Sequence, residues 1–160
     1  FCQDLSPRCQ RTKDIVTASL VSPMAQCWEV FRRDDDLDFV GILRMGNINP
    51  GCDATGHYFF FDHRLRDKTE LLKTWLDVLF TTTDVWQGLH RISIAIPAHA
   101  FALAHHAKKY LGFGGPYTYR RNGRKCPVEG VKKDAILWRG DWHDVLLMGL
   151  TAEEHNGGLH

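Results

Sequence analysis

The chain has 160 residues, of which 44% are hydrophobic and 24% charged, the proportions of a globular domain with a sizeable core. The formal net charge of +1 argues against a strong overall field for nucleic acid or a membrane surface. No apolar run reaches the roughly 20 residues that span a bilayer, so we expect a single domain, residues 1–160, without a membrane segment.

The two ends of the chain, residues 1–14 and 152–160, are polar and are expected to be loosely ordered. The first residue is Phe1 rather than Met, which is compatible with a trimmed or processed chain. The cysteines are scattered without a CxxC pair, a pattern that favours reduced thiols in a cytoplasmic protein over a zinc site. Pairing of Cys2 with Cys9 in an exported protein is the alternative.

Alternating and aromatic segments predict three strands in the first part of the chain, after a short helix at 14–26. The acidic turn at 34–38 is interpreted as a solvated hairpin tip, and residues 49–56 as a loop. The third strand is almost continuously apolar, which predicts a central position in a sheet. The three strands are CWEVFRRDDD (27–36), FVGILRMGNI (39–48) and HYFFF (57–61).

Helical and extended segments then alternate. Leu72, Trp75, Leu76 and Leu79 recur at spacings of three and four, which predicts an amphipathic helix after the third strand. The segment 90–96 predicts a buried strand. The later elements are a helix at 98–112 with Gly112 as its C-cap, strands within 113–121 and 134–150, and a tight turn at RGDW (139–142).

This order of elements predicts an α/β (α+β) fold with one mixed sheet that is antiparallel at its start. The unit from 57–61 to 90–96 has the length of a βαβ crossover, so its two strands should be parallel. Small ligands favour the carboxyl ends of such strands, where the basic turn DHRLRDK (62–68) follows. That turn predicts either a phosphate site or a solvated turn whose charges pair with one another.

Four short phrases, in this order, resemble the GNAT superfamily of acyl-CoA-dependent N-acetyltransferases. The most similar branch acetylates ribosomal-protein N-termini and some small amines. The resemblance covers residues 27–151 and implies a splayed parallel strand pair in mid-sheet, with helices on both faces. The phrases are YFFFDHRLRDKTELLKTWLDVLF (58–80), LHRISIAI (89–96), AKKYLGF (107–113) and WRGDWHDVLLMGL (138–150).

The resemblance implies acetyl-CoA or a related acyl-CoA as cosubstrate, with no metal. The family's phosphate loop has the form Q/R-x-x-G-x-G/A, and here its glycine positions hold Arg64 and Arg66 while His63 takes the basic position. Either side chains at the helix start bind the pyrophosphate, since arginine binds phosphate oxygens bidentately, or the loop is the remnant of a site that the protein no longer uses. The expected cofactor-binding residues are Phe60, Phe61, His63, Arg64, Arg66, Lys68 and Lys108.

Acyl transfer to an amine needs a base, a donor to the thioester oxygen and an acid for the leaving thiolate. Splayed strands would free backbone N–H groups near Phe60 and Phe61 for the oxygen. Tyr110 is the candidate acid. The candidate bases are His57 and Asp62, with His90 and His143 as weaker alternatives.

Two helix positions depart from the pattern of this branch, and a third departs from that of other branches. Phe101 and Ala104 stand where this branch has an Asn and a Ser, and Lys108 stands where other branches have a catalytic tyrosine. The function implied is N-acetyl transfer to an amine of a protein or small molecule. The alternative is a catalytically degenerate GNAT-fold binding or structural module, of viral or mobile-element origin, that acts on a protein partner.

One basic segment suggests a different class of partner. TYRRNGRK (118–125) resembles a nucleic-acid patch, but the low net charge favours a hairpin tip that faces solvent. Edge strands and tryptophans are compatible with a homodimer.

Overall fold

The computed structural model describes residues 25–31, 39–60 and 68–157. Its strands are β1 (Gln26–Phe31), β2 (Phe39–Asn49), β3 (Asp53–Phe60), β4 (Arg91–Pro97), β5 (Tyr117–Arg121), β6 (Arg124–Val128), β7 (Gly130–Trp138) and β8 (Asp141–Thr151). Its helices are α1 (Lys68–Phe80), α2 (Phe101–Leu111) and α3 (Ala152–Gly157), with a 3-10 turn at Ala98–Ala100 before α2. None of these described helices combines the length and the hydrophobicity needed to cross a membrane.

Of the described strands, six form one mixed sheet in the order β1-β2-β3-β4-β8-β7, and β5 and β6 form a separate two-stranded sheet. All neighbours in the large sheet are antiparallel except β3 and β4, which are parallel. The predicted mixed sheet with an antiparallel start is confirmed. The interior position of β3, expected from its apolar sequence, is confirmed too.

The core lies between one face of this sheet and the helices α1 and α2. Ile92, Ile94 and Ile96 of β4 stand opposite Leu150, Met148 and Leu146 of β8, and all six side chains are buried. Directly opposed residues point to the same face. Two glycines show how closely the helices approach this face. A Cβ added to Gly56 of β3 would lie 3.5 Å from the Trp75 ring of α1, and one added to Gly112 at the end of α2 would lie 3.3 Å from Leu150 of β8.

Both long helices therefore pack on that core face, which we call the helix face of the sheet. The expectation of a helix on the opposite face depends on the segment 14–26, which lies almost entirely outside the described residues. In α1 the buried side chains are Leu72, Trp75, Leu76, Leu79 and Phe80, as the spacing predicted. Burial of each such side chain contributes about 1.5–3 kcal/mol.

Helix α2 ends as its sequence predicted. Gly112 has φ 82° and its N–H donates to the carbonyl of Ala107, a left-handed C-cap that residues other than glycine rarely adopt. The turns of the β5-β6 and β7-β8 hairpins have the same backbone form. Their central residues are Asn122–Gly123 (φ 48° and 74°) and Arg139–Gly140 (φ 52° and 88°). Positive φ at both central residues is typical of the type I′ turns that fit a hairpin's twist.

Two expectations were wrong. The segment 49–56 is not all loop, because β3 already begins at Asp53 and pairs with both neighbours. Residues 152–157 are not loosely ordered but form α3, since Thr151 and Glu154 make a capping box. The N–H of Thr151 donates to Glu154 Oε2 at 2.9 Å and the N–H of Glu154 donates to Thr151 Oγ1 at 3.2 Å. This T-x-x-E signal was readable in the sequence.

Candidate functional site

The parallel strands β3 and β4 pair only over their first three residues. The register joins Asp53 to Arg91, Ala54 to Ile92 and Thr55 to Ser93, and then stops. Beyond that point β3 stays on β2 as far as Phe60, and β4 stays on β8 as far as Pro97. The sheet is therefore open at the carboxyl ends of β3 and β4. We call the space between residues 56–60 and 94–97 the strand gap; the predicted splay is confirmed.

The strand gap exposes backbone groups that a closed sheet would pair. The N–H of Arg91 donates to the carbonyl of Cys52 at 2.9 Å, so Arg91 directs its backbone groups toward β3. Alternate residues of a strand direct these groups to the same side. Ser93 and Ala95 therefore direct their backbone groups toward β3 as Arg91 does. The side chain of Ala95 is exposed. On β3 the same alternation turns the backbone of Tyr58 toward the gap.

On the helix face, two aromatic rings lie at the end of β3 that is no longer paired with β4. Those of Tyr58 and Phe60 lie 6.1 Å apart, and Lys68 Nζ stands 5.9 Å from the Phe60 ring centre. The Tyr58 hydroxyl is buried and has no hydrogen-bond partner among the described residues. Burial raises the pKa of Tyr58 to about 12, so the phenol keeps its proton at neutral pH. Tyr58 is a site residue that the sequence reasoning missed.

The candidate base His57 points to the opposite face, because strand side chains alternate. It stands opposite Arg44 of β2 and is half-buried. Its pKa is lowered from the ordinary 6.5, first by burial and then by the positive charge of Arg44. His57 is therefore neutral at neutral pH, the state in which an imidazole accepts a proton.

Most of the predicted phosphate loop lies outside the described residues. Phe61, Asp62, His63, Arg64 and Arg66 all fall in the segment 61–67, and their assignments stay predictions. Lys68 is described as the first residue of α1 and lies beside Phe60. A helix start of this kind is a favourable place for a phosphate, because its free N–H groups and dipole attract negative charge.

Tyr110 and Lys108 line a different surface. A groove of about 470 Å³ runs between α1, α2 and α3, and among its described lining residues none comes from the strand gap. Tyr110 is 46% exposed there, with its ring 5.0 Å from that of His106 and Lys109 Nζ 4.8 Å from its centre. Lys108 is exposed, and its charge acts on the buried thiol of Cys126. The structure therefore does not bring Tyr110 together with His57.

The two helix positions that depart from the family pattern belong to the core. Phe101 is 8% exposed and packs on Tyr119 of the β5-β6 hairpin, with ring centres 6.4 Å apart, and Ala104 is fully buried. Apolar packing explains both residues, and neither offers a polar group to a ligand.

A second group of side chains, the His99 cluster, lies at the carboxyl end of β4 and consists of His99, Trp138 and His143. The His99 ring stacks on Trp138 at 5.0 Å with 13° between the planes, and meets the His143 ring edge-on at 4.9 Å. Of the three, only His143 was among the sequence candidates. The position of His99 two residues after the strand-ending Pro97 was the available signal.

Comparison with known proteins adds structural likeness only. No protein-family model matches the sequence, and no curated protein matches it. A mutant form of the spermidine/spermine N-acetyltransferase SpeG from Vibrio cholerae superposes with a TM-score of 0.67 at 15% identity, over 94% of this chain and 81% of that chain. The same enzyme in complex with manganese ions gives a TM-score of 0.67 at 15% identity, over 94% and 79%.

A chimera of SpeG and hSSAT is similar as well, with a TM-score of 0.65 at 14% identity, over 92% of this chain and 80% of that chain. Identities this low establish the fold and leave the substrate open. The mixed sheet, the parallel pair that opens at its carboxyl ends and these likenesses agree: the chain has the GNAT fold.

Proposed function

We propose that this protein transfers an acyl group from an acyl-CoA to an amine. The observation that supports the proposal is the strand gap, where the backbone groups of Tyr58 and Ala95 face each other's strand without pairing between β3 and β4. Unpaired backbone groups inside a sheet are costly unless a ligand or water satisfies them. An extended chain of amides that ends in a thioester supplies suitable partners, so the residues present fit the cosubstrate.

The donor's phosphates would bind at the start of α1. Lys68 stands there, and the helix N-terminus favours an anion. The basic side chains of Arg64, Arg66 and His63 just before it remain predicted contacts. A helix N-terminus with basic side chains would compensate for the loop glycines that the family uses.

The chemistry follows from the two faces of the gap. Acyl-CoA supplies an activated thioester carbonyl. The N–H of Ala95 donates to the carbonyl oxygen, whose negative charge grows as the amine nitrogen bonds to the acyl carbon. His57, on the face opposite the helices, accepts the proton that the amine loses. Tyr58, on the helix face, donates a proton to the sulfur as the C–S bond breaks, a role for which its geometry is better than that of Tyr110.

We propose only that the acceptor is an amine, and we do not choose between a protein and a small molecule. The sequence phrases resemble the branch that acetylates ribosomal-protein N-termini and small amines. The similar solved structure is that of a spermidine/spermine N-acetyltransferase. Both support an amine acceptor, and they differ on whether it belongs to a protein.

Calorimetric titration with acetyl-CoA and desulfo-CoA tests the proposal. We expect both to bind the wild type and to bind Arg64→Ala/Arg66→Ala more weakly. Failure of both ligands to bind the wild type would overturn the enzyme in favour of the degenerate binding module. Tight binding that the double substitution leaves unchanged would remove only the loop assignment.

A further inference from the structure

The end of the strand gap that an amine would approach has a positive surface. The exposed side chain of Ala95 and the rings of His57 and His143 share the face opposite the helices, because strand side chains alternate along the observed registers. The guanidinium of Arg139 lies 5.8 Å from the ring of Trp138, which stacks on His99. A cation therefore stands directly on the His99 cluster.

A second arginine, Arg121 of the β5-β6 hairpin, lies close enough to His99 for its charge to act on the ring. Tyr119 packs on Phe101, two residues after His99, and Arg121 follows Tyr119 on the same side of β5. Burial lowers the pKa of His99, and the charges of His143, Arg121 and Arg139 lower it further. Neither Arg121 nor Arg139 makes an ion pair with a described carboxylate, so their charges are available to a ligand.

Two carboxylates in the described part of the chain, Asp144 and Asp141, lie near this surface, and neither forms an ion pair with Arg121 or Arg139. Asp144 is occupied, since it accepts from Lys133 Nζ at 3.0 Å, from the Asp134 N–H at 3.2 Å and from the Tyr119 hydroxyl at 3.4 Å. Asp141 stands opposite Trp138 in the hairpin and is exposed.

The backbone of Arg139 supports a role for its side chain. Arg139 occupies the first turn position with φ 52°, where a side chain with a Cβ is strained and Asn or Gly is preferred. The β5-β6 hairpin of the same chain has Asn122 at the equivalent position, with φ 48°. A strained residue that a better turn former could replace is a reason to look for function in its side chain.

We infer that the amine acceptor carries a carboxylate, which Arg139 and Arg121 bind beside the His99 cluster. This inference rests on the proposed acyl transfer and deepens it. A guanidinium pairs with a carboxylate through two parallel hydrogen bonds, whereas a polyamine would meet like charges at the same place. The acceptor would then differ in charge from the spermidine named for the similar structures.

A matched series of small amines tests the inference with the whole chain and saturating acetyl-CoA. The series is 5-aminopentanoate, its amide and cadaverine, which differ mainly in the charge at the far end. We expect kcat/KM to fall in that order, with spermidine as poor as cadaverine. In Arg139→Glu the ratio between 5-aminopentanoate and cadaverine should fall about tenfold, as expected when attraction becomes repulsion.

Two controls make the charge effect specific. Arg120→Glu changes the same charge on the other, exposed side of β5, and should leave the ratio within about twofold. Arg139→Asn should lower the ratio while raising the Tm by about 2–4 °C through relief of the turn strain. A loss of preference in a better folded variant separates ligand recognition from stability.

The possible results are distinct. Preference for cadaverine or spermidine, or a ratio that does not respond to Arg139→Glu and Arg121→Glu, overturns the carboxylate inference and leaves acyl transfer intact. Absence of acetyl-CoA binding in the calorimetric titration overturns the proposed function and this inference with it.

Discussion

Thr55 of β3 and Ser93 of β4 form the last residue pair between these two parallel strands. One step further along, the two strands separate and each remains bound to its outer neighbour. A sheet that opens at this point keeps its outer strands in register while exposing backbone groups at the centre. The candidate chemistry of this protein depends on that separation.

The backbone N–H of Ala95 can be tested directly. Ala95→Pro removes a donor that faces the strand gap and none that β8 uses, and proline is tolerated where the N–H of a strand is unpaired. We expect kcat to fall by about 10²–10³, the effect of losing one donor to a developing oxyanion. Steady-state kinetics would check this, with a Tm measurement to verify folding. A variant that folds and keeps full kcat would contradict the role.

Removing the Tyr58 hydroxyl should change the rate of catalysis without lowering the stability of the fold. Because this buried hydroxyl has no hydrogen-bond partner in the described part of the chain, Tyr58→Phe should leave the free energy of unfolding unchanged or slightly higher. If Tyr58 protonates the leaving sulfur, kcat should fall by about 10²–10⁴. Tyr110→Phe is the matched control and should keep its kcat, since Tyr110 lines the groove between the helices. The reverse pattern would restore Tyr110 as the acid.

The pH dependence of kcat/KM tests His57. Burial and Arg44 lower its pKa below 6.5, so the neutral base persists into mild acid. We expect the acid limb of the profile to have a midpoint below 6.5 and to disappear in His57→Gln, with a loss of about 10²–10⁴ in rate at neutral pH. An unchanged acid limb in the variant would assign the base elsewhere.

His106 gives a pH effect on stability rather than on rate. Its Nε2 lies 3.0 Å from Thr69 Oγ1, its buried Nδ1 has no partner within residues 25–31, 39–60 and 68–157, and burial lowers its pKa. A lowered folded pKa means that the neutral form contributes stability in full above the unfolded value of about 6.5. That contribution is lost as the pH falls through the folded pKa.

Denaturant unfolding at several pH values would measure this contribution. The free energy of unfolding of the wild type should decline from pH 7 toward pH 5, and His106→Gln should make the decline shallower. Equal slopes for the two proteins would show that other groups dominate the acid response.

The capping box of α3 has a measurable value. Thr151→Val removes the hydroxyl that caps Glu154 and should cost about 1 kcal/mol in the free energy of unfolding. It should also loosen α3, whose His155 binds Asp77 of α1 at 2.6 Å. Hydrogen exchange of residues 152–157 would report the loosening, and unchanged protection would show that the His155 contact alone holds the helix.

Local pattern predicted the elements that depend on local rules. The spacing of Leu72 and Leu76 determined the buried face of α1, Gly112 ended α2, and the RGDW turn closed the last hairpin. The ends of elements were less certain, since β3 begins four residues earlier than its apolar run. Its first residues, Asp53 to Gly56, are polar or small and are held in the strand by partners on both sides.

The sequence by itself predicted the order of elements from β1 to α2 and the parallel pair, because hydrophobic spacing and turn residues act over a few positions. Only the tertiary structure decided where pairing between β3 and β4 ends, that Tyr110 lines a groove away from the gap, and that His99 meets Trp138 and His143. Each of these depends on contacts between residues far apart in the chain. Such contacts are set by how the sheet and the helices pack together, which no local pattern records.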